Sequence, residues 1–168
     1  MTPSAAEQRF QFERLTLPLK NELYRAARAL AGNDADALDL IQDAFLRAWK
    51  AFPNYKEDQR FRAWLFTILR HAHIDFCRRR KLRPVTADLA MENPPAPEKP
   101  EAMSEEIQQA LERLKPAHHL ILLLRDVEGF TYAEIAEILD CPIGSVMSSL
   151  HHARAALRAR LTRLTVDR

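Results

Sequence analysis

Ser145, Ser148, Ser149, His151, His152 and Arg154 are clustered in the stretch T-Y-A-E-I-A-E-I-L-D-C-P-I-G-S-V-M-S-S-L-H-H-A-R, residues 131–154. Hydroxyl, imidazole and guanidinium groups are the chemistry that meets base edges and phosphates in a major groove. Val146, Leu150, Ala153 and Leu157 recur among them at helical spacing, which predicts a buried stripe and leaves the polar residues on or near the outer face. The preceding residues predict a helix of their own. Thr131 followed by Glu134 is a capping box, and Ile135, Ala136 and Leu139 give an apolar face. Asp140-Cys141-Pro142 breaks that helix, and Pro142 suits the first turn of the next. The whole has the pattern of a helix-turn-helix; an ordinary helical hairpin is the plainer reading of the same spacing.

Two further groups bear on chemistry. His73 and Cys77 are four apart on a predicted helix with His71 close by, a spacing that places two metal ligands on one face. No third or fourth ligand follows, so the expectation is no metal and no cofactor, with a surface histidine beside a half-buried cysteine. Arg78, Arg79, Arg80 and Lys81 close the same helix. Cations suit a helix C-terminus, but four in succession exceed that purpose and point equally to phosphate.

The elements that must position these groups are helical throughout. The chain has 168 residues, 47% apolar and 29% charged, with 3 glycines and a net charge of +2. That balance fits a globular, all-α chain, and it puts any nucleic-acid signal in the distribution of charge rather than its total. A helical run from about Phe12 to Ala31 carries Leu15, Leu19, Leu23, Ala26, Ala27 and Leu30 on one side, with a kink or fresh start at Pro18. A second, from about Ala35 to Ala51, has Leu38, Ile41, Phe45, Ala48 and Phe52 as its expected core stripe. After a loop at 53–58, a long helix runs from about Arg60 to Lys81 with Phe61, Leu65, Ile68, Ala72 and Phe76 at intervals of three and four; Trp64 joins its apolar patch. From Pro84 the chain turns Pro-rich and acidic, which predicts an extended linker of roughly 20 residues, able to reach about 60 Å. Helical pattern resumes near Ser104 with Ile107, Leu111 and Leu114. Leu120–Leu124 is apolar on all sides and predicts a buried helix ended by Gly129. The expected domains are 1–83 and 105–168, joined by a linker over 84–104. Cys77 and Cys141 fall in different domains and make no disulfide framework. No apolar run spans a bilayer and no signal-peptide core opens the chain, so no membrane insertion and a cytoplasmic location are expected.

Two blocks, in this order and separation, give a resemblance that covers about Phe12 to Leu161. D-A-L-D-L-I-Q-D-A-F-L-R-A-W-K-A-F (36–52) with F-R-A-W-L-F-T-I-L-R-H-A-H-I-D-F-C-R-R-R-K (61–81) forms one, and L-E-R-L-K-P-A-H-H-L-I-L-L-L-R-D-V-E-G-F-T-Y-A-E-I-A-E-I-L (111–139) the other. The chain resembles bacterial sigma factors of the extracytoplasmic-function group, in their minimal two-domain form. The resemblance implies an initiation factor that is not an enzyme, directs core RNA polymerase to promoters, assists melting, and is restrained by an anti-sigma factor. It implies polymerase docking by Asp39, Leu40, Gln42 and Asp43. It implies capture of an unpaired base at the minus-ten element by the loop from Asn54, where Asn54 reads an edge, Tyr55 stacks and Lys56 holds a phosphate. Arg60, Arg62 and Arg70 are expected on the DNA backbone. The second domain resembles the module that reads the minus-thirty-five element, with Thr131 and the polar residues of the second helix facing DNA. There the chain departs from its relatives: Met147, Ser149 and His152 stand where Lys or Arg is usual, which implies weaker phosphate contact. The stretch Arg62–Arg70 is similar to stress-responsive members of the group.

Two other classes stay open on residues alone. A helix-turn-helix regulator acting without polymerase would leave the acidic helix at 36–52 unexplained. An enzyme with an appended DNA-binding domain would require a phosphate loop, metal cluster or nucleophile arrangement, and the sequence offers none.

Overall fold

The computed structural model describes residues 4–56, 60–82 and 104–166, all helices and turns. Of the linker expected over 84–104 only Ser104 falls within them. The first helix, α1 (Ala5–Thr16), starts earlier than the periodicity indicated, because Ser4 caps it: its hydroxyl accepts the Glu7 N–H while Glu7 accepts the Ser4 N–H at 2.7 Å. Pro18 lacks a donor, and the chain passes through one 3₁₀ turn at Leu17–Leu19 before α2 (Lys20–Ala31). Gly32, at φ +82°, ends α2 in the left-handed region. Asn33 caps α3 (Asp34–Ala51) by accepting the Asp36 N–H at 2.9 Å, and α4 covers Phe61–Leu82.

Helix α3 packs against both α2 and α4. It therefore buries a wider arc than one stripe: Ala37, Leu40, Ile41, Ala44 and Ala48 are inside, whereas the expected Leu38 and Phe45 are half-buried. Leu23, Ala26, Ala27 and Leu30 of α2, and Leu65, Leu69 and Ala72 of α4, belong to the same buried core. Alanines at the crossing let the helix axes approach, and each buried leucine contributes about 1.5–3 kcal/mol. On α4 the buried set is Phe61, Ala63, Leu65, Phe66, Leu69 and Ala72; Ile68 and Phe76 of the expected stripe are half-buried.

The second domain comprises α5 (Glu105–Glu112), α6 (Pro116–Leu122), α7 (Tyr132–Leu139) and α8 (Ile143–Val166). Ile107, expected inside α5, is 37% exposed; Ala110 is buried beside Leu111 in its stead. Leu120–Leu124 is buried throughout, and the helix widens into a π turn over Leu123–Val127. Gly129 at φ +71° then reverses the chain. Thr131 and Glu134 form the expected capping box at α7. Asp140, at φ +50°, closes α7 in a conformation that Asp tolerates better than most side chains. Pro142 is the residue before α8 rather than in its first turn: its carbonyl accepts the Ser145 and Val146 N–H groups.

The two domains are in contact. Helix α4 packs on α7 and α2 on α6. The Phe66 and Phe130 rings, 2% and 1% exposed, meet edge to face at 5.0 Å across the seam.

Candidate functional site

On α3, Asp39, Gln42, Leu46 and Trp49 are spaced three, four and three apart and all exposed, a continuous outward stripe. Leu46 is 59% exposed and Trp49 38%, with the Trp49 ring edge-on to Phe12 at 5.3 Å. Two of the four residues expected on this face are placed differently. Leu40 is 1% exposed, inside the core between α2 and α4, and offers no area to a partner. Asp43 is held by its own domain: Arg47 reaches both its oxygens at 3.1 and 3.0 Å, and Arg79 adds a bond at 3.2 Å. Arg47 also binds Asp75 at 2.6 Å, which holds the Asp75 carboxyl below the ordinary carboxylate value. Leu46 and Trp49 were missed by the sequence reading, although extending the Asp39–Gln42 spacing along the helix finds them.

The basic end of α4 turns back onto α3. Arg79 pairs with Asp43, Arg80 with Asp36 at 2.9 Å, and Arg78 lies 3.8 Å from Asp75. Arg79 and Arg80 therefore clamp two helices, while the side chains of all three arginines remain more than half exposed. Lys81 is exposed.

In the loop after α3, Asn54 and Lys56 are exposed; residues 57–59 lie outside the described residues. Tyr55 is half-buried and already stacked. Its ring lies parallel to Phe52 at 5.9 Å and touches Phe61 and Trp64 at 5.3 and 5.0 Å. Trp64 packs on the core in this cluster. Arg70 is half-buried on α4.

Arg60 and Arg62 point at the second domain. Arg60 pairs with Glu134 at 3.2 Å. Arg62 bonds Glu22 at 2.7 Å, the Glu128 carbonyl at 2.8 Å and the Glu128 carboxylate at 3.3 Å, and its guanidinium lies 4.0 Å over the Phe130 ring. Arg25, which the sequence reading passed over, bonds the same carboxylate at 2.7 Å. The Glu128 side chain is only 3% exposed.

In the helix-turn-helix, Val146, Leu150 and Ala153 are fully buried and fix the rotation of α8. Ser145, Ser148, His151 and His152 are exposed and Ser149 is half-buried. Met147 is 51% exposed on the same helix and Ile143 45%. From 143 to 153 this face carries no Lys or Arg. The first cation, Arg154, is engaged by Asp126 at 2.6 and 3.2 Å. Thr131 is occupied as a cap: its hydroxyl accepts the Glu134 N–H at 3.2 Å and donates to the Glu134 carboxylate at 3.0 Å. Burial pushes the Glu134 carboxyl up, but the Thr131 bonds and Arg60 together hold it below the ordinary value.

Cys77 Sγ lies 3.4 Å from His73 Nε2, and burial lowers the His73 pKa. Among the described residues no group of three or more His, Cys, Asp or Glu is arranged to hold a metal ion. No helix of the described residues is long and apolar enough to cross a membrane.

Residues 17–83 match the model for sigma-70 region 2, and residues 104–157 match a model for sigma-70 region 4. The chain is 33% identical over 152 residues to the ECF RNA polymerase sigma factor SigL of Mycobacterium tuberculosis, covering 87% of this chain and 86% of that one. It is 30% identical over 138 residues to the ECF RNA polymerase sigma-E factor of Escherichia coli (73% and 72% covered). It is also 33% identical to the ECF RNA polymerase sigma factor SigE of Mycolicibacterium smegmatis, of whose length the match spans 58%. Among solved structures, the sigma factor RpoE of Bartonella quintana, in complex with the anti-sigma factor NepR, superposes with a TM-score of 0.73 at 27% identity, covering 94% of this chain and 99% of that one. With both regions matched in order and an all-helical fold to carry them, the chain belongs to the extracytoplasmic-function group of sigma-70 RNA polymerase sigma factors.

Proposed function

We propose that this chain binds core RNA polymerase, brings it to stress-type promoters and helps to open the minus-ten region, and that an anti-sigma factor restrains it in the cytoplasm. Domain 1–83 takes the polymerase and the minus-ten element, and domain 105–168 reads the minus-thirty-five element. The chain itself catalyses nothing; the polymerase carries the chemistry. The anti-sigma factor is inferred from the Bartonella relative, whose solved form is a complex with one.

The observation that carries this reading is the outward stripe on α3. Asp39 and Gln42 are exposed while the neighbouring Asp36 and Asp43 are tied to Arg80 and Arg79, and Leu46 and Trp49 extend the stripe with apolar area. A carboxylate and an amide beside a leucine and a tryptophan match the usual make-up of an interface centre, apolar anchors ringed by polar groups. Asp39→Lys with Leu46→Glu changes only exposed side chains. The double variant is expected to lose at least about thirtyfold in affinity for core polymerase with its helical circular-dichroism signal intact. Unchanged affinity, measured by titration of labelled chain with core enzyme, refutes the docking face.

A further inference from the structure

The contact between the domains pairs cations of the first with carboxylates of the second. Arg25 of α2 donates through Nε to Glu128 Oε1 at 2.7 Å, and its Nη2 lies 2.7 Å from the same oxygen. Arg62 of α4 reaches Oε2 at 3.3 Å and the Glu128 carbonyl at 2.8 Å. Two guanidinium groups from different helices thus converge on one carboxylate that is 3% exposed. The π turn and Gly129 aim Glu128 there, and Phe130 seats the turn under Arg62 and against Phe66. Glu22, within the first domain, holds Arg62 through Nε at 2.7 Å, so one arm of the pair is oriented whether or not the second domain is present.

A site of two convergent guanidinium groups is the geometry that recognises carboxylate and phosphate alike. Two arginines against the single carboxylate of Glu22 leave a net charge of about +1 once Glu128 departs, enough for one phosphodiester. We infer that Arg25 and Arg62 form a phosphate site on the first domain for the backbone of DNA, and that Glu128 fills it as a stand-in while the domains are closed. Arg25 is then a DNA-contact residue, and Arg62 cannot hold DNA and Glu128 at once. Arg60 is paired with Glu134 of the helix-turn-helix across the same seam, with 62% of its side chain exposed. Opening of the domains releases all three cations from the carboxylates of the second domain together. This deepens the DNA-binding half of the function proposed above and rests on it, while being independent of the polymerase-docking face.

The test uses the full-length chain and a labelled random-sequence duplex, because phosphate contacts carry no sequence information. Affinity is read by fluorescence anisotropy over a salt series. Glu128→Gln keeps the shape of the side chain and removes the charge that competes. It is expected to raise the affinity of the free chain by about tenfold or more, as loss of one partner of a buried charge pair does. Arg25→Ala in the Glu128→Gln background is expected to flatten the log-affinity against log-salt slope by about 0.9, one phosphate contact, and Arg25→Lys to keep most of it. Glu128→Gln without a gain in affinity overturns the stand-in role, and an unchanged slope in the Arg25→Ala background overturns the phosphate site. A matching helical signal in all variants excludes misfolding as the cause. If the wild-type chain fails to bind core polymerase while these DNA effects appear, the docking face falls and the phosphate site stands.

Discussion

At the scale of single residues, the face of α8 from 143 to 153 carries no Lys or Arg. The family resemblance implies cations where this chain has Met147, Ser149 and His152; Met147 is half exposed, and Arg154, further along the helix, is already engaged by Asp126. As the proposed DNA-reading face it would offer hydroxyl, imidazole and apolar groups and little phosphate neutralisation. Met147→Arg places one cation at a solvent-facing position. The expected outcome is tighter binding of duplex and a log-affinity against log-salt slope steeper by about 0.9, measured by the same anisotropy titration. A slope equal to wild type places position 147 away from the phosphates.

Elements are held by caps and turns more than by propensity. Helix α7 is eight residues long, too short to persist by itself, and it depends on the Thr131–Glu134 box at one end and the left-handed Asp140 at the other. The box has a second effect: by holding the Glu134 carboxylate, Thr131 orients the group that Arg60 meets across the domain seam. Thr131→Ala is expected to lower stability by about 1 kcal/mol, read from the midpoint of urea unfolding at unchanged slope. A midpoint within error of wild type means that the seam, and not the cap, holds α7 in place.

The molecule as a whole joins two helical units through a seam of ion pairs, an edge-to-face aromatic pair and one perturbed histidine. Burial pushes the His119 pKa down to about 4, with Glu112 opposing and Arg28 reinforcing the shift. The folded pKa thus lies below the ordinary value near 6.5, so the unfolded chain binds the proton more readily between those limits. The stability associated with the neutral imidazole is complete above about pH 6.5 and is lost as pH falls toward about 4. The loss is expected to reach about 3 kcal/mol at most, with a smaller contribution of the same sign from His73. His119→Gln, which cannot titrate, is expected to flatten the pH dependence of the thermal midpoint between pH 7 and pH 4. An unaltered pH profile in that variant assigns the acid sensitivity to other groups.

Much of this was written locally. The cap at Thr131, the breaks at Pro18 and Gly129, and Val146, Leu150 and Ala153 of a stripe whose fourth member, Leu157, is half-buried are effects of a few neighbouring residues, so the all-α fold and the helix-turn-helix are legible without coordinates. What one stretch of chain cannot show is which face of a helix meets a second neighbour. Leu40 and Leu46 are equally apolar on the same helix, and only the packing of α3 between α2 and α4 buries the first and leaves the second outside. The same limit applies to charge. Asp43 reads as a polymerase-docking carboxylate, Arg79 and Arg62 as phosphate-facing cations, and Arg25 draws no reading at all; Arg79–Asp43, Arg62–Glu128 and Arg25–Glu128 are pairs only in space, and residues far apart in sequence carry no local signal of pairing.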